Sequence, residues 1–167
     1  MYMEETLKKE LEDIYQMFFH HPKIAYMKEY YIHRGTNCFI HSFKVAKFAI
    51  KMAIKRKLKE LKTLLIAAIL HDYYLYNRKE IKKKKHGSEH PFISSSNAKR
   101  DFDVSDDVVD IINSHMWPLN FRYFPKTKEA RLLSKADKII AIKEFLTSKN
   151  KKNKNFDKDM EYISYLF

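Results

Sequence analysis

Cysteine, glycine and proline are all scarce in this chain of 167 residues, with one Cys, two Gly and four Pro. The single cysteine, Cys38, excludes an intramolecular disulfide and any zinc ribbon or knuckle built on thiolates. So few glycines cannot supply the turns of a large sheet or the close backbone approach of a phosphate-cradling loop. Rossmann, P-loop and sandwich architectures therefore fall away. Long apolar runs are missing too. The longest, Leu64–Leu70, has seven residues, whereas a membrane span needs about 20. The opening residues, Met1-Tyr2-Met3-Glu4-Glu5, lack the basic start and apolar stretch of a secretory signal. A soluble cytoplasmic protein, with no membrane partner, is the expectation.

What is present is helix-forming. Hydrophobic residues make up 45% of the chain and charged residues 32%, an ordinary balance for one folded domain of this length. Few breakers among many Leu, Ile, Lys, Met and Ala favour long helices. The expected fold is all-α, a single-domain bundle of seven or eight helices. Residues 4–19 read as the first helix, and Pro22 opens a second at its N1 position. Residues 31–36 (YIHRGT) read as a loop around Gly35, followed by a third helix from Thr36 to Arg56. Residues 59–71 form a fourth, apolar on every side at Leu64–Leu70 and so expected at the centre. Lys82–Lys85 with His86-Gly87 read as a basic loop, after which Pro91 opens a fifth helix with His90 near its N-cap. Ser105, followed by Asp106 and Asp107, caps a sixth, which Pro118 ends. Thr127 caps a seventh running to about Thr147. Ser148–Asn155 reads as a polar connection to a short helix over Phe156–Leu166. In domain terms, residues 1–35 are N-terminal helices packed on a core at 33–146, and 147–167 are linker and final helix.

The net charge of +12 is unevenly spread. Residues 36–100 carry 16 Lys and Arg against 4 Asp and Glu, whereas 1–35 stand at −1 and 101–167 at +1. Such a field attracts an anionic small molecule or nucleic acid. It is also the signature of a solvated lysine face, the reading that the lysine-rich composition favours. Lysines 44, 47, 51, 55, 59 and 62 recur every three or four residues as one wet stripe, and the aromatics of that helix lie on another side. Nucleic-acid grooves interleave the two, so a nucleic-acid partner is possible but not favoured.

The informative residues are polar ones placed where the pattern wants apolar ones. His71-Asp72 follows directly on Leu64–Leu70. An aspartate there bears several kcal/mol of desolvation unless a cation or strong donors meet it. His41 shares a face with Val45, Phe48 and Met52. His115 follows Ile112, Ile111 and Val108 by three, four and seven residues. Asp137 lies between Leu133 and Ile140 on the same helical face, and His90 sits at a helix start. A core cannot hold four histidines and two aspartates unpaired. A shared cation resolves the conflict, and mixed imidazole and carboxylate ligands suit Fe, Mn, Ni, Co or Zn. Six ligands exceed one tetrahedral site and suggest two divalent ions. His20, His21 and His33 fall near loops or helix ends and read as surface residues.

The ordered set His41, His71-Asp72, His90, His115 and Asp137, in the contexts GTNCFIHSFKVA, LLIAAILHD, HPFISSSNA, IINSHMWPL and LLSKADKII, resembles the HD superfamily of metal-dependent phosphohydrolases. The resemblance spans roughly residues 33–146. Two extra histidines between the signature pair and the last aspartate are similar to its bimetallic branch. The resemblance implies an enzyme in which His71 and Asp72 stand at the catalytic centre. One ion would be held by His41, His71, Asp72 and Asp137, and a second by His90 and His115 with Asp72 bridging. Two departures bear on substrate: Leu75 stands where many relatives carry a phosphate-holding lysine, and the Gly-Tyr-Pro motif of cyclic-di-GMP phosphodiesterases is missing.

The function expected is hydrolysis of a phosphoester or phosphoanhydride, most readily of a nucleotide. Arg78, Lys85 and His86 are candidate phosphate contacts, and Trp117 is a candidate stacking surface for a base. Two other readings stay open: a basic nucleic-acid-binding module without catalysis, and a di-iron oxygenase on the same ligands. Oligomeric state is not legible.

Overall fold

The structure, a computed structural model, describes residues 4–33, 36–77, 83–150 and 156–167. Among them the chain is all-α, with eight helices and one small hairpin. The helices are α1 Glu5–Phe19, α2 Pro22–Ala25, α3 Cys38–Lys55, α4 Leu61–Leu70, α5 Lys83–Phe102, α6 Asp106–Ser114, α7 Lys128–Asn150 and α8 Phe156–Ile163. A 3-10 turn, Tyr26–Glu29, follows α2. No helix among the described residues is long and apolar enough to cross a membrane.

α4 forms the hub. Its run of Leu, Ile and Ala has no polar face, and Leu64, Leu65, Ala67, Ala68, Ile69 and Leu70 are all buried. It packs against α1, α3, α5, α6 and α7. Each large side chain so buried contributes roughly 1.5–3 kcal/mol. On the α1 side, Tyr15, Phe19, Phe39 and Phe43 form an aromatic cluster, with Tyr15 edge-on to Phe43 at 5.0 Å. Such edge-to-face pairs favour one packing over others through their ring quadrupoles. The chain terminus is fastened to α1 and α3 by side chains that bond its backbone. Tyr15 donates to the Ile163 carbonyl at 2.7 Å, Gln16 to Ser164 at 2.7 Å, and Lys47 to Tyr162 at 2.9 Å.

Helix starts follow local chemistry. The Asn37 side chain accepts from Ile40 N at 2.9 Å, Thr127 from Ala130 N at 3.1 Å, and Ser105 from Val108 N. Each satisfies an amide that the first turn leaves without a partner.

Several sequence readings need correction. The stretch Tyr31–Thr36 is not simply a loop: Tyr31–His33 (β1) pairs antiparallel with Thr36–Asn37 (β2). Such short strands leave no period to read. His86 and Gly87 are helical, and Pro91 lies inside α5 rather than opening it, so His90 is not an N-cap. Gly and Pro are breakers on intrinsic propensity, yet tertiary packing overrides it. Leu119 seats on Gly87 so closely that a Cβ there would stand 3.0 Å from its Cδ2. The sixth helix ends at Ser114, before Pro118. Ser148–Asn150 continue α7, and the rest of the expected polar connection, 151–155, lies outside the described residues. The lysine stripe is not uniformly wet. α3 stops at Lys55, and Lys44 and Lys47 turn to α8, Lys44 meeting Asp159 at 2.8 Å. Of the three histidines read as surface residues, His20 is exposed, His21 is half-buried against Phe102, and the His33 side chain lies outside the described residues.

Candidate metal centre

Five helices deliver the six candidate ligands to one place. His41 lies in α3, His71 and Asp72 at the end of α4, His90 in α5, His115 at the end of α6, and Asp137 in α7. The four histidines are 0–4% exposed. Each ring is aimed by its Nδ1. His71 donates to the Ala68 carbonyl at 2.8 Å and His115 to the Ile112 carbonyl at 2.7 Å. Both rings stand at helix C-termini, where carbonyls outnumber amides, and the Ile112 carbonyl accepts from the His115 amide as well. His90 Nδ1 donates to the His86 carbonyl at 2.9 Å, and His41 Nδ1 to Glu144 Oε2 at 2.7 Å. With every Nδ1 engaged, every Nε2 is turned inward.

The inward atoms form a continuous chain of contacts. His41 Nε2 is 3.1 Å from Asp137 Oδ1, and His71 Nε2 is 3.7 Å from the same oxygen. Asp72 faces both halves: Oδ2 stands 3.6 Å from His71 Nε2 and 3.8 Å from His41 Nε2, while Oδ1 stands 3.2 Å from His90 Nε2. His90 Nε2 and His115 Nε2 are 3.0 Å apart. Two groups, His41–His71–Asp137 and His71–Asp72–His115, each bring their ligand atoms within 4.8 Å of one another.

Two observations test whether a cation fits. His71 Nε2 is buried with no hydrogen-bond partner, a cost of about 1–3 kcal/mol unless something is bound there. The Nε2 atoms of His90 and His115 stand 3.0 Å apart with both Nδ1 atoms engaged elsewhere, so a proton or a cation must lie against them. A cation relieves both, and Nδ1-bonded imidazoles with carboxylates are the donor set that divalent transition metals take. The residues fit.

The electrostatics agree. Burial disfavours charge on His41, but the hydrogen bonds to Asp137 and Glu144 outweigh it and raise its pKa to about 10. His71 is also raised, with Asp72 and Asp137 overcoming burial. Burial, with His90 and His71 alongside, pushes His115 down to about 3. Asp72 and Asp137 resist burial through the surrounding imidazoles and lie well below the usual carboxylate range.

A family model described as the HD domain matches residues 38–142. The chain belongs to the HD domain family. That family places it in the superfamily of metal-dependent phosphohydrolases. No curated protein and no solved structure matches the chain.

The other expected site residues are more scattered in this HD domain. His86 is not in a basic loop. Its ring is buried in α5, stacks on His90 at 4.6 Å, and hydrogen-bonds with the Tyr76 hydroxyl at 2.7 Å. Trp117, half-buried beyond the end of α6, packs edge-on against Phe124 at 5.4 Å. Arg78 and the Lys85 side chain lie outside the described residues. Leu75 is half-buried against the core, with φ 51. A groove of about 600 Å³ over α5 and α6, lined by Ser95, Lys99 and Arg100 among others, contains none of the six candidate ligands.

Sequence reasoning missed two neighbours of the centre. Glu144 is buried against His41, and its signal was available: it follows Asp137 by seven residues, two turns along the same face. Lys138 donates to the His115 carbonyl at 3.2 Å and to Ser134 Oγ at 2.6 Å, tying α7 to the end of α6. No periodicity marks it.

Proposed function

We propose that this HD-domain protein hydrolyses a phosphoester or phosphoanhydride of a nucleotide, using two divalent transition-metal ions held by His41, His71, Asp72, His90, His115 and Asp137. The observation that carries the reading is the convergence of four inward Nε2 atoms and two carboxylates, with His71 Nε2 otherwise orphaned. Asp72 would serve both ions, its two oxygens facing the His41–His71 side and the His90 side separately. Such ions, when bound, supply Lewis-acid activation of water and of a phosphoryl oxygen.

The chain's own part is positioning. Main-chain carbonyls of α4, α5 and α6 hold three imidazoles in the tautomer that leaves Nε2 a donor to the cation. Asp72 and Asp137 remain ionised at every working pH because imidazoles surround them. Their charge only partly offsets two divalent ions, so the loaded site favours an anionic group. Arg78 and Lys85 are the proposed phosphate contacts, supported by the charge of residues 36–100. Trp117, which follows His115 by two residues, is the proposed base contact. His86 would act on substrate only from beside His90.

The test is metal analysis of protein purified without chelator or nickel resin, followed by hydrolysis assays. Nucleoside mono-, di- and triphosphates, cyclic dinucleotides, dinucleoside polyphosphates and bis-p-nitrophenyl phosphate are the substrates. Metal-dependent turnover, lost by several orders of magnitude in His71→Ala, supports the proposal. Salt-sensitive retention of nucleic acid without turnover would favour a binding module, and oxygen consumption with iron bound an oxygenase.

A further inference from the structure

We infer that Glu144 is the positioning residue of His41, an outer carboxylate that makes this ring the strongest donor of the set. The inference rests on the metal reading above. Three of the four histidines bond Nδ1 to a main-chain carbonyl, and His41 alone bonds a charged acceptor, Glu144 Oε2, at 2.7 Å. The difference has a cause in helix polarity. His71 and His115 stand at helix C-termini, where carbonyls outnumber amides. His41 lies in the first turns of α3, where the unpaired groups are amides rather than carbonyls. Its ring N–H needs an acceptor from another element, and α7 supplies one two turns beyond Asp137.

Glu144 is itself buried, and a carboxylate held there bears a desolvation cost unless cations meet it. Lys44 stands 3.7 Å from Glu144 Oε1 and 2.8 Å from Asp159 of α8. The arrangement runs from α8 through Lys44 and Glu144 to His41 and then to Asp137. A carboxylate on the far nitrogen of a ligand imidazole fixes the tautomer and raises the donor strength of the near one.

The experiment measures Mn(II) and Co(II) affinity alone, by competition against a chelator of known affinity, for wild type and Glu144→Gln. The glutamine keeps the size and the hydrogen-bonding capacity and removes the charge. Expected is about 10–100-fold weaker binding, with the circular dichroism of the chelated protein unchanged. Equal affinity in both proteins overturns the inference. A purely structural role would lower the Tm of the chelated protein and leave the affinity of folded Glu144→Gln alone, which also overturns it. Should Glu144→Gln fail to fold, long-range proton–nitrogen spectra of zinc-loaded wild type decide. A His41 Nδ1–H resonance far downfield supports the inference, and a proton on Nε2 overturns it. Wild type that takes up no metal at all would defeat the metal reading itself, a result distinct from equal affinity in the two proteins.

Discussion

His90 and His115 face each other through their Nε2 atoms at 3.0 Å, while each Nδ1 donates to a carbonyl one helical turn back. Two neutral rings so held oppose lone pair to lone pair. Either one ring takes up a second proton, or a cation lies against both. The same choice faces His71, whose Nε2 has no partner within hydrogen-bond distance. The folded chain has therefore built a place where positive charge is wanted.

A ligand that binds only the folded state stabilises it by mass action, about 4 kcal/mol when free ligand exceeds Kd a thousandfold. For a domain of this size that is roughly 8–16 °C in Tm. Chelation should lower the Tm of wild type by that order and change Asp72→Ala much less, because the carboxylate proposed to serve both ions is gone. Thermal scans with and without chelator check it, and equal shifts in the two proteins would count against bridging by Asp72.

Proton release should accompany metal uptake. His41, held protonated up to about 10 by Asp137 and Glu144, must lose its Nε2 proton to bind. Apparent affinity should thus rise with pH through neutrality toward 10. Titration calorimetry at pH 7.5 in two buffers of different ionisation enthalpy gives the proton count, and a count of zero contradicts the assignment of His41.

The same shift predicts how chelated protein responds to pH. A histidine raised from 6.5 to about 10 contributes stability that is complete below 6.5 and lost as pH rises through 10. His71, also raised, has the same sign. His115, lowered to about 3, acts in the other direction and only below 6.5. Between pH 6.5 and 10 the chelated protein should therefore lose Tm while the loaded protein keeps it. A gap that narrows over that window would be the wrong sign.

Tyr15→Phe removes the hydroxyl that donates to the Ile163 carbonyl and leaves that buried acceptor unpaired. The expected cost is about 1–3 kcal/mol, read as a lower urea midpoint at unchanged slope. Metal affinity should stay as in wild type, because α1 supplies none of the six candidate ligands.

If the basic residues 36–100 steer an anionic substrate, raising ionic strength from about 0.01 to 0.15 M shortens the screening length from roughly 30 to 8 Å. KM should rise several-fold while kcat is unchanged. A salt-independent KM would leave the lysines as a solvated face.

Helical content and the residue types of the candidate metal centre were legible in the chain's own pattern. Both are short-range properties: Leu64–Leu70 reads as a buried helix because no face of it is polar, and Ser105 and Thr127 announce helix starts through their own hydroxyls. His41, His71, Asp72, His115 and Asp137 stood out because each is polar at an apolar position of its own helix. Where those side chains aim depends on how the helices dock. The hub helix α4 sets its neighbours so that the six candidate ligands come together in one cluster. Packing also carries α5 through Gly87 and Pro91, which lifts His86 out of a surface loop and lays it against His90. The partner of His41 was decided in the same way. Glu144 lies 103 residues further along the chain, and no local pattern says which acceptor will reach a ring N–H near a helix N-terminus. Helix propensity and hydrophobic period act over a few residues, whereas the direction of a buried hydrogen bond is settled only when separate helices dock.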